Sequence, residues 1–367
     1  MATQIDVSGL TLSKLEVQNI NDFIKKYYYE NPGIMSYFGQ INKVTMQQDI
    51  GFINQNRLSG IADTTCDRPA SMQPFTTSSK TWNPKKIGDT MFHCQADLNA
   101  LFKPYYLNID NFKQLYDIQG SDIEMVLVQL ITNLADRSVF RHAFLGNTTL
   151  AAAGAATAGL RSGTGAALGH YNVIDGIWKQ IFTYIATAPS QRITITENTS
   201  NTLAGQKTFA SGAALAYLDQ MYNSSPIAMR TTSPSDQMIT VTDAFWLNYR
   251  ASMRNADAAI VGSGTYEKAP LPTLTYNGIP VVNIGHPVGT DLETDLQKNT
   301  GTGAAAADLP NRVLWTTKNN VQLATLNADD FAAVETNYNV ETRKLMLAFG
   351  YTLDAKVIDD SMYMVAY

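Results

Sequence analysis

Charge is what this 367-residue chain has least of: Asp, Glu, Lys and Arg make up 16% of it, against about 25% in an average soluble domain. A folded protein with so few charges covers much of its surface with partners or wets it with neutral polar groups, and Asn, Thr, Gln and Ser are abundant here. The formal net charge is −5 and no basic run interrupts it. That argues against a dedicated nucleic-acid binder, whose affinity comes from many Lys and Arg contacts to phosphate. Cysteine is almost missing. Cys66 and Cys94 are too few for a disulfide scaffold and fit a chain that folds in a reducing cytosol. Long apolar runs are missing too: residues 150–160 are rich in Ala and Gly, and too short and weakly apolar to span a bilayer. Residues 1–13 have neither the basic nor the apolar part of a signal peptide. These absences predict a soluble product with no membrane partner.

Recognisable chemistry is scarce as well. No G-x-S-x-G elbow, Walker A loop or H-E-x-x-H motif is present. Gly301, Gly303 and Ala306 match the G-x-G-x-x-A dinucleotide spacing. The residues before them are polar and Pro310 soon follows, so the strand and helix that would carry a pyrophosphate are not expected, and the stretch reads as a loop. Cys66, His93 and Cys94 lack the paired spacing of a zinc site, and adjacent strand residues such as His93 and Cys94 point to opposite faces. Asp329-Asp330 and Asp359-Asp360 read as caps and turns. The expectation is a protein with no catalytic, cofactor or metal residues, not an enzyme.

What is present is a core and a long beam. Hydrophobic residues make up 45% of the chain and aromatics 10%. Residues 121–145 open on a capping box, Ser121 with Glu124. They carry Ile123, Val126, Leu127, Leu130, Ile131, Leu134, Phe140 and Phe144 at helical spacing, and Gly146 closes them. Such a helix reaches roughly 35 Å. Upstream, residues 57–92 scatter their apolar positions among turn formers, an unusually long polar stretch of the kind that is functional or disordered. Further helices are predicted at 13–28, 45–56 (a Thr45 and Gln48 box), 171–186, 210–222, 243–255 and 329–335. Strands are predicted around 91–94, at 192–196, 238–242 and 278–284, at 312–317 paired with 321–326, and in a tail over 341–366 broken at Gly350-Tyr351 and Asp359-Asp360. Residues 146–169 are a low-complexity loop. The order of elements argues an α+β fold and not a doubly wound sheet.

That layout resembles the HK97-type major capsid proteins of tailed double-stranded DNA bacteriophages. The likeness lies in the order of parts over the whole chain. It is closest at residues 121–145, at Tyr266-Glu267-Lys268-Ala269-Pro270-Leu271-Pro272 leading to Tyr276-Asn277-Gly278-Ile279-Pro280-Val281-Val282, and at Tyr351-Thr352-Leu353-Asp354-Ala355-Lys356-Val357. The resemblance implies an N-terminal arm with helices over 1–56, an extended loop over 57–92, and a peripheral domain over 93–188 with its spine helix at 121–145. An axial domain over 189–340 and C-terminal strands over 341–367 complete it.

It also implies a structural protein whose main partner is itself, in the hexamers and pentamers of an icosahedral shell around a phage genome. A separate scaffolding protein, a portal and decoration proteins would accompany it, with DNA touching it only by weak, non-specific proximity, and its place would be the virion. Phe75 and Trp82, large aromatics in a polar loop, are expected to dock on a neighbouring subunit. Lys80, Lys85 and Lys86 share that loop, where some relatives form an isopeptide cross-link. The alternatives are an encapsulin-like compartment shell, an α+β enzyme with an unrecognised site, and a self-associating tail or surface-array protein.

Overall fold

The computed structural model describes residues 38–41, 44, 48–55, 75–94, 122–149, 171–200, 202–261, 274–284, 309–326, 334–339, 341 and 344–367. The long helix α1 spans Asp122–Leu145, about 36 Å of rise, as its spacing predicts. Its buried row is Ile131, Ala135, Val139 and Ala143 at intervals of four, flanked by Phe140 and Phe144. Leu134, expected on the apolar face, is 39% exposed instead. The small Ala135 and Ala143 carry the packing row, which lets the helix lie close to its sheet.

The end of α1 is stitched to the next helix, α2 (Ile177–Ile185). The Gly176 N–H donates to the Gly146 carbonyl at 2.9 Å, and the Asn147 N–H to the Tyr171 carbonyl at 2.8 Å. A Cβ on Gly176 would lie 2.7 Å from the Gly146 nitrogen, so only glycine permits the approach. Residues 171–176 are spent on this junction. That is why α2 begins at Ile177 and not at Tyr171, as helical spacing alone suggests.

One sheet has five strands. Its path runs β1 (Gly39–Ile41), β10 (Val321–Ala324), β12 (Lys344–Val357) and β11 (Val334–Asn339), with β4 (Lys85–Cys94) also paired to β12. Only the β1–β10 pair is parallel. The 14-residue β12 buries Leu345, Leu347, Tyr351, Leu353, Ala355 and Val357 in alternation, and α1 and α2 pack on it. Tyr351 Oη donates to Ser138 Oγ at 2.8 Å, tying strand to helix. Two expectations fail here. The tail does not break at Gly350-Tyr351, because Gly350 faces Gly88 where the backbones come close: a Cβ on Gly88 would lie 2.7 Å from the Phe349 carbonyl. Val334 and Glu335 belong to strand β11 and not to a helix, since pairing with Phe349 and Ala348 outweighs their local helical pattern.

The other large sheet has six strands in the order β5 (Arg192–Ile193), β13 (Tyr363–Ala366), β9 (Val313–Thr317), β6 (Gln237–Val241), β8 (Ile279–Asn283) and β7 (Thr275–Tyr276). Its central strands divide their side chains between two cores. Met238, Leu314, Tyr363 and Val365 join the core of α1 and α2. Ile239, Val241, Val313, Trp315, Met364 and Ala366 join a core built with the helices α4 (Ala213–Ser224) and α6 (Asp243–Val261). Shorter helical segments α3 (Leu203–Gln206) and α5 (Ile227–Thr231) sit between these elements in the chain. The β7–β8 hairpin turns at Asn277 (φ 49°) and Gly278 (φ 79°), both left-handed, the pairing that Asn-Gly favours in tight hairpins.

β9 and β10 form where expected but do not pair with each other. The turn at 318–320 carries the chain from the six-stranded sheet to the five-stranded one, and residues 358–362 carry it back from β12 to β13. Asn320, 4% exposed, binds both crossings together. Its Nδ2 donates to Thr316 Oγ1 (3.1 Å) and to the Asp359 (3.0 Å) and Met362 (3.1 Å) carbonyls. Its Oδ1 accepts the Asp359 N–H at 2.6 Å. A side chain that satisfies both crossings removes the reason for β9 and β10 to fold as a hairpin.

Candidate assembly arm and its root

The remaining strands form a hairpin of their own. β2 (Gln48–Gln55) and β3 (Phe75–Trp82) pair antiparallel from Gln48 opposite Trp82 to Gln55 opposite Phe75. The helix expected over 45–56 is therefore corrected. The Thr45–Gln48 capping pattern is a signal of one turn, whereas Ile50, Gly51 and Ile53 face a partner strand rich in Thr and Ser over its whole length. The arm begins at Gln48, before the expected start at 57. Residues 56–74 lie outside the described residues. Pro84, which has no N–H to donate, separates β3 from β4.

The root of the arm is built from side chains of both ends of the hairpin. Trp82 is 1% exposed and packs with Val44 and Ala324, with Ile41, Ile50 and Ile358 alongside. The expectation that it lacks a local core is corrected: its burial is within its own chain. Lys80 Nζ donates to the Val357 carbonyl at 2.8 Å and pairs with Asp360 Oδ2 at 2.7 Å, each side chain about 30% exposed. The Asn83 N–H donates to Asp354 Oδ2 at 2.8 Å. Beyond Leu353, where β4 ends, Gln180 of α2 takes over the edge of β12. Its Nε2 donates to the Ala355 carbonyl at 2.6 Å and its Oε1 accepts the Val357 N–H at 3.1 Å. Backbone groups that lose a strand partner are thus met by side chains.

Two carboxylates near this edge behave differently. Burial pushes the Asp354 carboxyl above the usual carboxylate range, against the Asn83 and Ala355 N–H groups and the Lys356 charge, with the Asp175 charge adding to the rise. Burial also acts on Asp175, but hydrogen bonds from Lys179 and from both the N–H and hydroxyl of Thr148 hold that carboxyl below the usual range. The sequence marks Asp354 only by placing a carboxylate between the apolar Leu353 and Ala355 of a strand, and both neighbours are fully buried.

The other candidates divide. Lys85 and Lys86 are exposed on β4 opposite Leu353 and Thr352. The backbone of Phe75 opens β3; its side chain, Cys66, residues 301–306 and the side chains of His93 and Cys94 lie outside the described residues. Among the described residues, no three His, Cys, Asp or Glu side chains gather as a metal site. None of the described helices is long and apolar enough to cross a membrane.

No protein-family model matches the sequence, and no curated protein matches it. Solved structures do. A structure from Mycobacterium phage Ogopogo aligns over 93% of this chain and 93% of its own, at 10% identity and a TM-score of 0.50. The capsid of an empty GTA particle aligns over 92% of this chain and 96% of its own, at 12% identity and a TM-score of 0.49. The capsid of cyanophage P-SCSP1u covers 98% of both chains at 13% identity and a TM-score of 0.46. The chain has a mixed helix and sheet fold that resembles the structure from Mycobacterium phage Ogopogo. At such identities the likeness is one of fold.

Proposed function

We propose that this chain is a major capsid protein, a structural subunit whose copies assemble as hexamers and pentamers into an icosahedral shell around a phage genome. The observation that carries the reading is a fold likeness at a TM-score of 0.50 over 93% of both chains, far more than one shared motif or domain. The arm supports it. A hairpin of eight paired residues per strand extends about 26 Å, so it offers contact area that a compact domain cannot. In this reading α1 is the spine of a peripheral domain over 93–188 and residues 189–340 are the axial domain. Residues 1–56 would be the N-terminal arm, modified so that positions 48–56 join the extended loop.

Phe75, Lys85 and Lys86 remain candidates for contact with a neighbour, while Trp82 and Lys80 serve the root of the arm. The shell would work with a scaffolding protein, a portal and decoration proteins and would sit in the virion, with packaged DNA held off by a net charge of −5. Such a subunit needs no catalytic site. Electron microscopy of the purified protein tests the reading: closed shells with capsomers are expected, and a persistent monomer would reject it. Shells enclosing a protein cargo, with no portal, would favour the compartment alternative.

A further inference from the structure

The root of the arm encloses a carboxylate with few compensating partners. Asp354 is 3% exposed. Its Oδ2 accepts the Asn83 N–H at 2.8 Å, its Oδ1 the neighbouring Ala355 N–H at 2.9 Å, and Lys356 Nζ stands 3.8 Å from Oδ2. Two backbone donors and one distant ammonium replace only part of the hydration that an ionised carboxylate loses. The other charges around this root are accounted for. Asp175, at the entry to α2, opposes a second negative charge and is itself paired with Lys179 at 2.7 Å. Lys80 is paired with Asp360 at 2.7 Å, and Lys85 lies on β4 opposite Leu353.

We propose that the arm root is a proton-responsive latch in which the Asn83–Asp354 contact is the part that opens, protonation of Asp354 favouring the closed state and ionisation the open one. Opening lifts residues 83–84 from β12 and admits water to the carboxyl. An ionised Asp354 gains much from that water. A neutral one gains little, and its carbonyl oxygen still accepts the Asn83 N–H. Burial raises the closed-state affinity for a proton above that of a solvated carboxyl. The closed latch is therefore fully favoured below the open-state value and loses that advantage as pH rises through the closed-state value. Trp82 and the Lys80–Asp360 pair hold the hairpin in both states, so opening loosens the root without unfolding the chain. The inference concerns one chain and holds whether or not copies assemble.

Hydrogen–deuterium exchange on the full chain from pH 8 down to pH 3.5, corrected for intrinsic rates, reads the latch at the amides of residues 82, 83 and 85–87. Protection in this segment is expected to rise roughly threefold or more on acidification. Asp354→Asn keeps an acceptor oxygen for Asn83 and carries no charge, so its protection should sit at the acid level throughout and lose its pH dependence. Lys356→Gln, which removes the ammonium 3.8 Å from Oδ2 and leaves the Asn83–Asp354 contact in place, should move the transition to higher pH, with circular dichroism to establish folding. Protection that is flat or falls on acidification of the unmodified chain overturns the proposal. So does an Asp354→Asn chain that keeps the full pH dependence, or a Lys356→Gln transition that stays in place.

Discussion

The two large sheets are made of similar residues but are enclosed to different degrees. In the six-stranded sheet, β6 and β13 are buried at every position and β9 at all but the last, because helices cover both faces. In the five-stranded sheet, β12 alternates buried positions with partly buried or exposed ones, save for the buried Asp354, with α1 and α2 on one face, and β4 presents Phe92 at 43% exposure. The first is a closed body that needs nothing from outside the chain. The second carries the β2–β3 hairpin at one edge, and on its other face Met346, Ala348 and Thr352 are only partly covered by the described residues. The contrast separates where the chain places its own stability from where it leaves side chains open to contacts.

Substitutions that strike each region should separate the two. The largest effect is expected from Ile131→Asp, at 3% exposure in the core row of α1. An unpaired charge there should cost about 4 kcal/mol or more and abolish soluble, folded protein, seen as loss of soluble yield. Trp315→Ala strikes the closed sheet. Trp315 is 2% exposed, donates from Nε1 to Gln237 Oε1 at 2.7 Å and stacks on Tyr222 at 5.8 Å. A loss of about 3–5 kcal/mol is expected by denaturant titration. Asn320→Ala cuts the tie between the two sheets and should cost roughly 2 kcal/mol, read in the same titration. Leu134→Gln, on the same helix as Ile131 but 39% exposed, should change stability by no more than about 0.5 kcal/mol.

Much of the closed body was legible in the sequence, and the platform was less so. The helices α1, α4 and α6 and the strands β6, β8 and β9 follow from local periodicity, within a few residues at their ends except that α6 runs six residues past its expected end to Val261. The misread elements depend on partners distant in the chain. β2 is set by β3 across 19 intervening residues, and β11 by β12. The separation of β9 from β10 hangs on one asparagine that also meets Asp359 and Met362. Gly350 read as a break because glycine signals turns, whereas here it lies within a continuous strand opposite Gly88, the glycine whose missing Cβ permits the close approach. Trp82 read as an arm aromatic without a core because Val44, Ala324 and Ile358, which enclose it, come from three other parts of the chain. Of the candidate site, neither the β2–β3 pairing nor the root beneath it could be read. Hydrogen bonds such as Asn83 to Asp354 span 271 positions and leave no local trace.

In the proposed function the hairpin assembles shells while the rest of the chain folds without it. Replacing residues 51–79 by a short Gly-Ser linker removes the arm but keeps Lys80, Trp82 and Asn83 at the root. Sedimentation velocity of this chain beside the full-length one, with circular dichroism to establish folding, is the most direct test. A folded trimmed chain that stays a small species, while the full-length chain sediments as closed shells, is expected. Shells of normal size and stability from the trimmed chain would overturn the proposal.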